Sequence, residues 1–354
     1  MPDLLPATDN ALSALFWPMV SGALSWPSGP VLFLGARAGA WPVLADTGAW
    51  RCEQDFRPFA AALQRQGITA QARIDDTGFA ASLALPPRSR EGGRALLARA
   101  VRATGEGGLI VAAAGNEEGG RSLHGDLGRL LGNAQVLSKF KCRIVHARRD
   151  TAALDADLLQ QWLALDSPRQ VTDRGRTFWT RPGLFAWDRI DAGSALLAEH
   201  LPTTLSGHVA DLGAGWGFQS MQVARHCPQV VSLDLFEAQA GALEPAQRNL
   251  AEAAAARPEL EWALHWHDVG AGLPGKFDVI ISNPPFHVGR ADLPELGRAF
   301  IVRAAQALTA DGALWLVANR HLPYEATLAA HFAEVRTLAE RDGFKVIHAR
   351  IPKS

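Results

Sequence analysis

The stretch Val209-Ala-Asp211-Leu-Gly213-Ala-Gly215-Trp216-Gly217-Phe218 narrows the possible folds of this chain more than any other. A short apolar run ends in an acid, three glycines follow at alternate positions, and a helical pattern begins at once. That order describes a strand, a tight turn and a helix. Glycine is required in such a turn because the backbone takes angles closed to other residues and lets a ligand approach nearer than a Cβ allows. A dinucleotide turn reads Gly-x-Gly-x-x-Gly, its third glycine seating helix on strand and its helix N-terminus facing a pyrophosphate. Here the order is Asp-x-Gly-x-Gly-x-Gly. A carboxylate ahead of the first glycine gives a pyrophosphate nothing, but it suits a ligand that carries a cationic amino group or ribose hydroxyls.

A second segment, Phe277-Asp-Val279-Ile-Ile281-Ser-Asn283-Pro284-Pro285-Phe286, narrows the chemistry. Val279 to Ile281 reads as a buried strand, and the loop after it lies at the strand's C-terminal end, where open α/β sheets place ligands. Two prolines fix the backbone and remove two donors, which leaves nearby carbonyls free to accept. The Asn283 side-chain oxygen and the Pro284 carbonyl can then both accept hydrogen bonds from one exocyclic amine, while Phe286 offers a stacking face to a flat base. A rigid turn of no chemical consequence is the plainer alternative. Its company with the glycine segment argues against that, and together the two segments point to S-adenosylmethionine and an amine acceptor.

The length of 354 residues suggests about two domains. With 48% hydrophobic and 20% charged residues, the chain can build sizeable cores. A formal net charge of -1 provides no global basic field, so any nucleic-acid surface has to be local. Cys52, Cys142 and Cys227 are odd in number and unpatterned, which suggests a reducing cytoplasm without a disulfide frame or a zinc site. The start, Met1-Pro-Asp-Leu-Leu-Pro, is no signal peptide, and no apolar run approaches the ~20 residues of a membrane span.

In chain order, the first 27 residues read as one or two helices, with Leu12, Leu15, Phe16 and Val20 at helical spacing. Val31 to Trp41 is a strand entering a glycine-containing turn that echoes the later one without its acid. Apolar runs at Ala70 to Ile74, Ala80 to Leu85 and Leu109 to Ala114 alternate with helical stretches such as Gly93 to Thr104, an α/β rhythm. Asn116, after the last of these runs, is read as the counterpart of Asn283. The expectation is a degenerate methyltransferase-like domain over 1–160 and a catalytic domain over 170–354, divided near Asp166-Ser-Pro-Arg169. Basic residues gather between Lys139 and Arg181, diluted by five aspartates. A solvated surface between domains and an RNA-facing patch explain them equally well.

In the second half Val230 to Leu235 is a strand closed by Glu237, a carboxylate able to hold ribose hydroxyls. Asp234 competes for that role, although Glu237 keeps better register with the helix of Leu243, Ala246 and Asn249. Asp268 follows a third strand, where it serves either as a helix cap or as an acceptor for an adenine amino group. Trp216 is expected to line the ligand pocket. Further elements are a helix over Leu293 to Leu308, a strand over Gly312 to Ala318, and a hairpin around Arg341-Asp342-Gly343, giving five parallel strands and an antiparallel pair. His265, His267 and Asp268 lack a further ligand at metal spacing, so no metal is expected.

The second half resembles the bacterial ribosomal RNA guanine-N2 methyltransferases known as small-subunit methyltransferase C, together with their large-subunit relatives. The likeness rests on Pro182-Gly-Leu-Phe185, Asp191-Ala-Gly193-Ser194, Asp211 to Gly217, Ile281 to His287, Val317-Ala-Asn319, Leu322-Pro-Tyr324 and Gly343-Phe-Lys-Val346. It implies a class I S-adenosylmethionine methyltransferase with a Rossmann-like seven-stranded sheet, preceded by a degenerate α/β domain that helps to fold or present RNA. It implies methylation of the guanine exocyclic amine in ribosomal RNA, with Asn283, Pro284 and Phe286 at the reacting base. Phe185, Asp211, Gly213, Gly215, Trp216, Gly217, Glu237, Asp268 and Asn283 fall to the cofactor. The implied partner is ribosomal RNA or a ribosomal subunit, and the protein is expected to be a cytoplasmic monomer. Other amine acceptors, adenine in DNA or a release-factor glutamine, share the Asn-Pro-Pro-aromatic pattern, and a non-catalytic RNA-binding assembly factor is the alternative from another class.

Overall fold

The computed structural model describes residues 9–44, 46–285, 287–288, 291–292 and 294–353. The chain divides between Ser167 and Pro168 into two compact units. The first holds α1 (Asn10–Val20), β1 (Val31–Leu34), β2 (Trp50–Glu53), α2 (Arg57–Arg65), β3 (Ala70–Gln71), β4 (Phe79–Ala84) and α3 (Arg90–Ala103). After these come β5 (Thr104–Gly115), α4 (Arg121–Leu131), β6 (Gln135–Lys139), β7 (Cys142–Arg148) and α5 (Ala156–Ala164). The second unit opens with β8 (Arg169–Asp173), β9 (Arg176–Thr180), α6 (Ala192–His200), β10 (Ser206–Leu212), α7 (Phe218–His226) and β11 (Gln229–Glu237). It continues with α8 (Leu243–Ala253), β12 (Glu261–Trp266), β13 (Phe277–Ser282), β14 (His287–Val288), β15 (Ala291–Asp292) and α9 (Pro294–Ala307). It ends with β16 (Leu308–Asn319), α10 (Glu325–His331), β17 (Phe332–Arg341) and β18 (Phe344–Pro352).

Each unit is built on a seven-stranded sheet with one and the same strand order. The first reads β3-β2-β1-β4-β5-β7-β6 and the second β12-β11-β10-β13-β16-β18-β17. Five strands run parallel in each, and the last two add antiparallel. Helices cover both faces, so the central strands are apolar on both sides, as β13 with its buried Phe277, Val279, Ile280 and Ile281 illustrates. Two cores result in the second unit, one around Leu197, Trp216, Val223 and Leu235 and one around Phe236, Ile301, Tyr324 and Phe332.

The shared topology allows residue-by-residue comparison through sheet register. Leu34 on β1 pairs with Glu53 and Ala84, and Leu212 on β10 pairs with Phe236 and Ser282. It follows that Leu85, not Asn116, is the counterpart of Asn283, which corrects the sequence expectation. Leu85-Pro86-Pro87 keeps the two prolines and loses the amide. Asn116 follows β5, whose counterpart is β16, and its N–H donates to Lys141 O as Arg320 N–H donates to Gly343 O. The same register sets Phe33 against Asp211, Arg37 against Gly215 and Gln54 against Glu237. The first unit therefore retains the frame of the second but neither its two carboxylates, nor the Asn283 amide, nor the glycine of Gly215.

Candidate active site

Gly213, Gly215 and Gly217 adopt φ values of 70°, 55° and 87°, all left-handed. Gly217 caps α7, and its left-handed conformation favours glycine, while a Cβ there would rest in ordinary contact with Ala246 on α8 at 3.5 Å. Phe236 O holds the turn by accepting from Gly213 N–H at 2.9 Å and Ala214 N–H at 3.2 Å. Asn249 on α8 braces it from behind. Its Nδ2 donates to Trp216 O at 2.8 Å and Trp179 O at 2.7 Å, and its Oδ1 accepts from Trp179 N–H at 2.7 Å. Sequence reasoning gives Asn249 only a place in the helix register.

Two carboxylates converge on this turn. Asp211 is 2% exposed and accepts from Ser220 Oγ at 2.7 Å. Burial pushes its pKa up to about 7; the Glu237 charge adds to that rise, and the Ser220 hydrogen bonds oppose it. Glu237 accepts from Gly215 N–H and from Gln239 N–H, each at 2.8 Å. Burial raises its pKa also, against the backbone donors of Gln239, Gly215 and Ala238. Two desolvated acids close together form a place where a cation is more stable than water. Asp234 lies three residues earlier on β11 and bonds His265 Nε2 at 2.6 Å, away from the glycine turn.

Asn283 sits partly exposed at the end of β13, and Ser282 ties that strand end to β10 by donating Oγ–H to Leu212 O at 2.8 Å. A Cβ on Gly213 would lie 3.8 Å from Pro285 Cδ, so the two motifs meet. Asn283 Nδ2 donates to Asp191 Oδ2 at 3.0 Å and to Ser194 Oγ at 2.9 Å. A carboxylate only accepts, so the amide must turn its NH2 toward Asp191 and leave Oδ1 as the free acceptor. Asp191 is held in turn as the N-cap of α6, accepting from Ser194 N–H at 2.8 Å. Gly193 lets α6 approach the Phe344 ring, which a Cβ would meet at 2.8 Å. Gln219 on α7 locks α6 to the glycine turn by donating to Ser194 O at 2.8 Å.

The remaining expected residues are placed as follows. Trp216 is 5% exposed and stacks on Phe178 in the core with ring centroids 4.1 Å apart, while its carbonyl accepts from Asn249 Nδ2. Asp268 caps the short helix Val269–Ala271, accepting from Gly270 N–H at 2.9 Å. Phe185 is 62% exposed on the loop between β9 and α6. Pro284 is buried, whereas Phe286 lies outside the described residues. His267 Nε2 lies 2.6 Å from Gly272 O, and among the described residues no cluster of three His, Cys, Asp or Glu is placed to hold a metal. No described helix is long and apolar enough to cross a membrane.

A parallel sheet with an antiparallel end pair, an acid and three left-handed glycines after the central strand, and an Asn-Pro-Pro loop beside them define a class I methyltransferase. The methyltransferase small domain matches residues 175–348. The ribosomal RNA small subunit methyltransferase C of Ectopseudomonas mendocina is 33% identical over 288 residues, spanning 78% of this chain and 81% of that protein. Its namesake in Psychromonas ingrahamii is 28% identical over 302 residues, 84% of each. The solved T. thermophilus 16S rRNA N2 G1207 methyltransferase, in complex with AdoMet and guanosine, superposes with a TM-score of 0.79 at 25% identity, covering 97% of this chain and 92% of that one. The chain belongs to the ribosomal RNA small subunit methyltransferase C family.

Proposed function

We propose that this protein transfers a methyl group from S-adenosylmethionine to the exocyclic N2 amine of a guanosine in small-subunit ribosomal RNA. The observation that carries the reading is Asn283, whose NH2 is consumed by Asp191 and Ser194 so that Oδ1 faces out as an acceptor beside the glycine turn. The relative solved with AdoMet and guanosine supports the same pairing of cofactor and base.

The donor set fits the cofactor: Asp211 and Glu237 are acids that gain from a cationic or hydroxyl-bearing ligand. Glu237 would hold the ribose hydroxyls, Asp211 the amino-acid end, and Asp268 the adenine amine. The bound cofactor supplies an electrophilic methyl on a sulfonium. A guanine amine is a poor nucleophile because its lone pair is delocalised into the ring. Asn283 Oδ1 and the Pro284 carbonyl accept hydrogen bonds from its two N–H groups, which drives the nitrogen toward tetrahedral geometry and aligns the lone pair, and the methylated nitrogen then releases one proton to solvent. Positioning and desolvation supply most of the acceleration. Phe286 provides the stacking face for an unpaired base, whose extraction costs a few kcal/mol and least in single-stranded RNA.

The first unit, with Leu85, Phe33 and Gln54 where the second has Asn283, Asp211 and Glu237, is assigned to RNA presentation and support of folding. Cys52, Cys142 and Cys227 are all free and buried, in keeping with the cytoplasmic location and monomeric state we assign. The test supplies labelled S-adenosylmethionine, separated ribosomal subunits and naked ribosomal RNA from a strain lacking this gene. Label in N2-methylguanosine of the small subunit is expected; label in no RNA, with cofactor bound, overturns the assignment.

A further inference from the structure

We propose that the β6–β7 hairpin tip of the first unit, Lys139-Phe140-Lys141 with Arg143, is a contact for single-stranded RNA, in which Phe140 stacks on an unpaired base and the cations take flanking phosphates. This deepens the reading of the chain as a ribosomal RNA methyltransferase and rests on it. Lys139 pairs with Cys142, so Phe140 and Lys141 are the two central residues of the turn. Both are left-handed, with φ of 53° and 57°. A two-residue turn of that kind favours Asn-Gly or Asp-Gly. The corresponding turn of the second unit, between β17 and β18, is built that way: Asp342 and Gly343, with φ of 53° and 83°. A phenylalanine and a lysine in the same geometry put strain into a turn where neither is a core residue: Phe140 is 43% exposed and Lys141 is exposed as well.

The surroundings supply the rest of a nucleic-acid platform. Lys139 Nζ lies 5.6 Å from the centroid of the Phe140 ring and 5.6 Å from that of Trp17. Lys139, Lys141 and Arg143 are exposed, and none of them is in an ion pair among the described residues; Arg143 donates to Ser138 Oγ at 2.8 Å. Glu118, exposed in the segment after β5, and Asp9 act electrostatically on Cys142 beside the turn, and Arg37 neutralises Asp9 at 2.8 Å. An exposed ring flanked by unpaired cations binds single strands without sequence preference, because every base offers a π-face and every nucleotide a phosphate.

The experiment replaces the turn with the residues its geometry favours, Phe140→Asn with Lys141→Gly, in the full chain. The melting temperature should hold or rise, which shows that the variant folds. Affinity for a fluorescently labelled single-stranded fragment of small-subunit RNA should fall roughly ten-fold or more, and the salt slope by about one phosphate contact. Phe140→Tyr should keep wild-type affinity, whereas Phe140→Leu should lose it, separating stacking from mere apolarity. A folded Asn-Gly variant with unchanged affinity and salt slope overturns the hairpin contact, and wild-type methylation of ribosomal RNA in that experiment leaves the proposed reaction standing. Wild-type protein that binds RNA through the hairpin yet labels no guanosine overturns the reaction alone.

Discussion

The side-chain amide of Asn283 donates to Asp191 Oδ2 across 3.0 Å, joining the end of β13 to the first turn of α6. The contact decides which end of the amide is left to accept, since the acceptor-only carboxylate takes the NH2. Asn283→Ala should lower kcat by about 10²–10³-fold with cofactor affinity unchanged, the scale of losing one hydrogen bond to a reacting group. Asp191→Ala should lower kcat about ten-fold and cost about 1 kcal/mol of stability through the lost cap. Single-turnover methylation, with cofactor binding by calorimetry, checks both. An Asp191→Ala enzyme of full kcat would mean that Asn283 keeps its orientation unaided.

Asp211 gives the site a pH dependence. Burial is the main cause of its rise from 3.8 to about 7, and the Glu237 charge adds to it. The folded free protein thus keeps a proton that the unfolded chain releases near 3.8, so this group makes folding less favourable as pH climbs from about 4 to about 7. A cationic ligand favours the ionised form, so cofactor affinity should weaken as pH falls below about 7, by up to about ten-fold per unit. Calorimetry at about pH 6, 7 and 8 should also detect proton release on binding near pH 7. Asp211→Asn should bind weakly and flatten the profile; a flat profile in the wild type would rule out a proton on Asp211 in the free site.

Glu237 and Asp234 are told apart by what each touches. Glu237 accepts from Gly215 N–H in the glycine turn, whereas Asp234 is engaged with His265. Glu237→Gln should therefore raise the cofactor Kd about ten-fold, the order expected when a hydrogen bond loses its charge. Asp234→Asn should leave it within about two-fold. The reverse ranking, read in one titration series, would transfer the ribose role to Asp234.

What the sequence reveals and what it conceals follow the same physics. The long apolar strands and the glycine turn are legible because buried parallel strands read as continuous hydrophobic runs and left-handed turns call for glycine. β2, with only Trp50–Glu53, and β6, exposed along most of its length as an edge strand, carry no such run. Residue type matches Asn116 to Asn283, but equivalence is fixed by sheet register, which places Leu85-Pro86-Pro87 there instead. Ser194 and Asp191 gain their roles only through a partner distant in the chain, Asn283, 92 residues from Asp191. A serine one turn into the helix after an Asp-x-Gly-x-Gly-x-Gly segment is the one local signal that points toward Asp211.

The first unit buries an ion pair at the end of β2, where the second unit has Phe236. Glu53, at the end of β2, is 4% exposed and pairs with Arg99 of α3, itself 6% exposed. Arg99 Nη1 donates to Glu53 Oε1 at 2.6 Å and Nη2 to Ile74 O at 3.2 Å, while Ile74 N–H donates to Glu53 Oε2 at 2.7 Å. Next to it, Gln54 donates to Ala36 O at 2.7 Å, whereas its counterpart Glu237 accepts from Gly215 N–H at 2.8 Å. A buried pair contributes little against apolar residues of the same volume, the more so here because Arg99 Nε is buried without a hydrogen-bond partner among the described residues, but removing one partner strands the other charge, at about 3–5 kcal/mol. Arg99→Met should therefore destabilise the first unit by that amount, and Glu53→Leu with Arg99→Met should restore most of it. Hydrogen exchange should locate the loss in β2 and α3, with protection of β10, β11 and β13 and the cofactor Kd unchanged. Loss of cofactor binding in the single variant below its melting temperature would show instead that the first unit shapes the second unit's site.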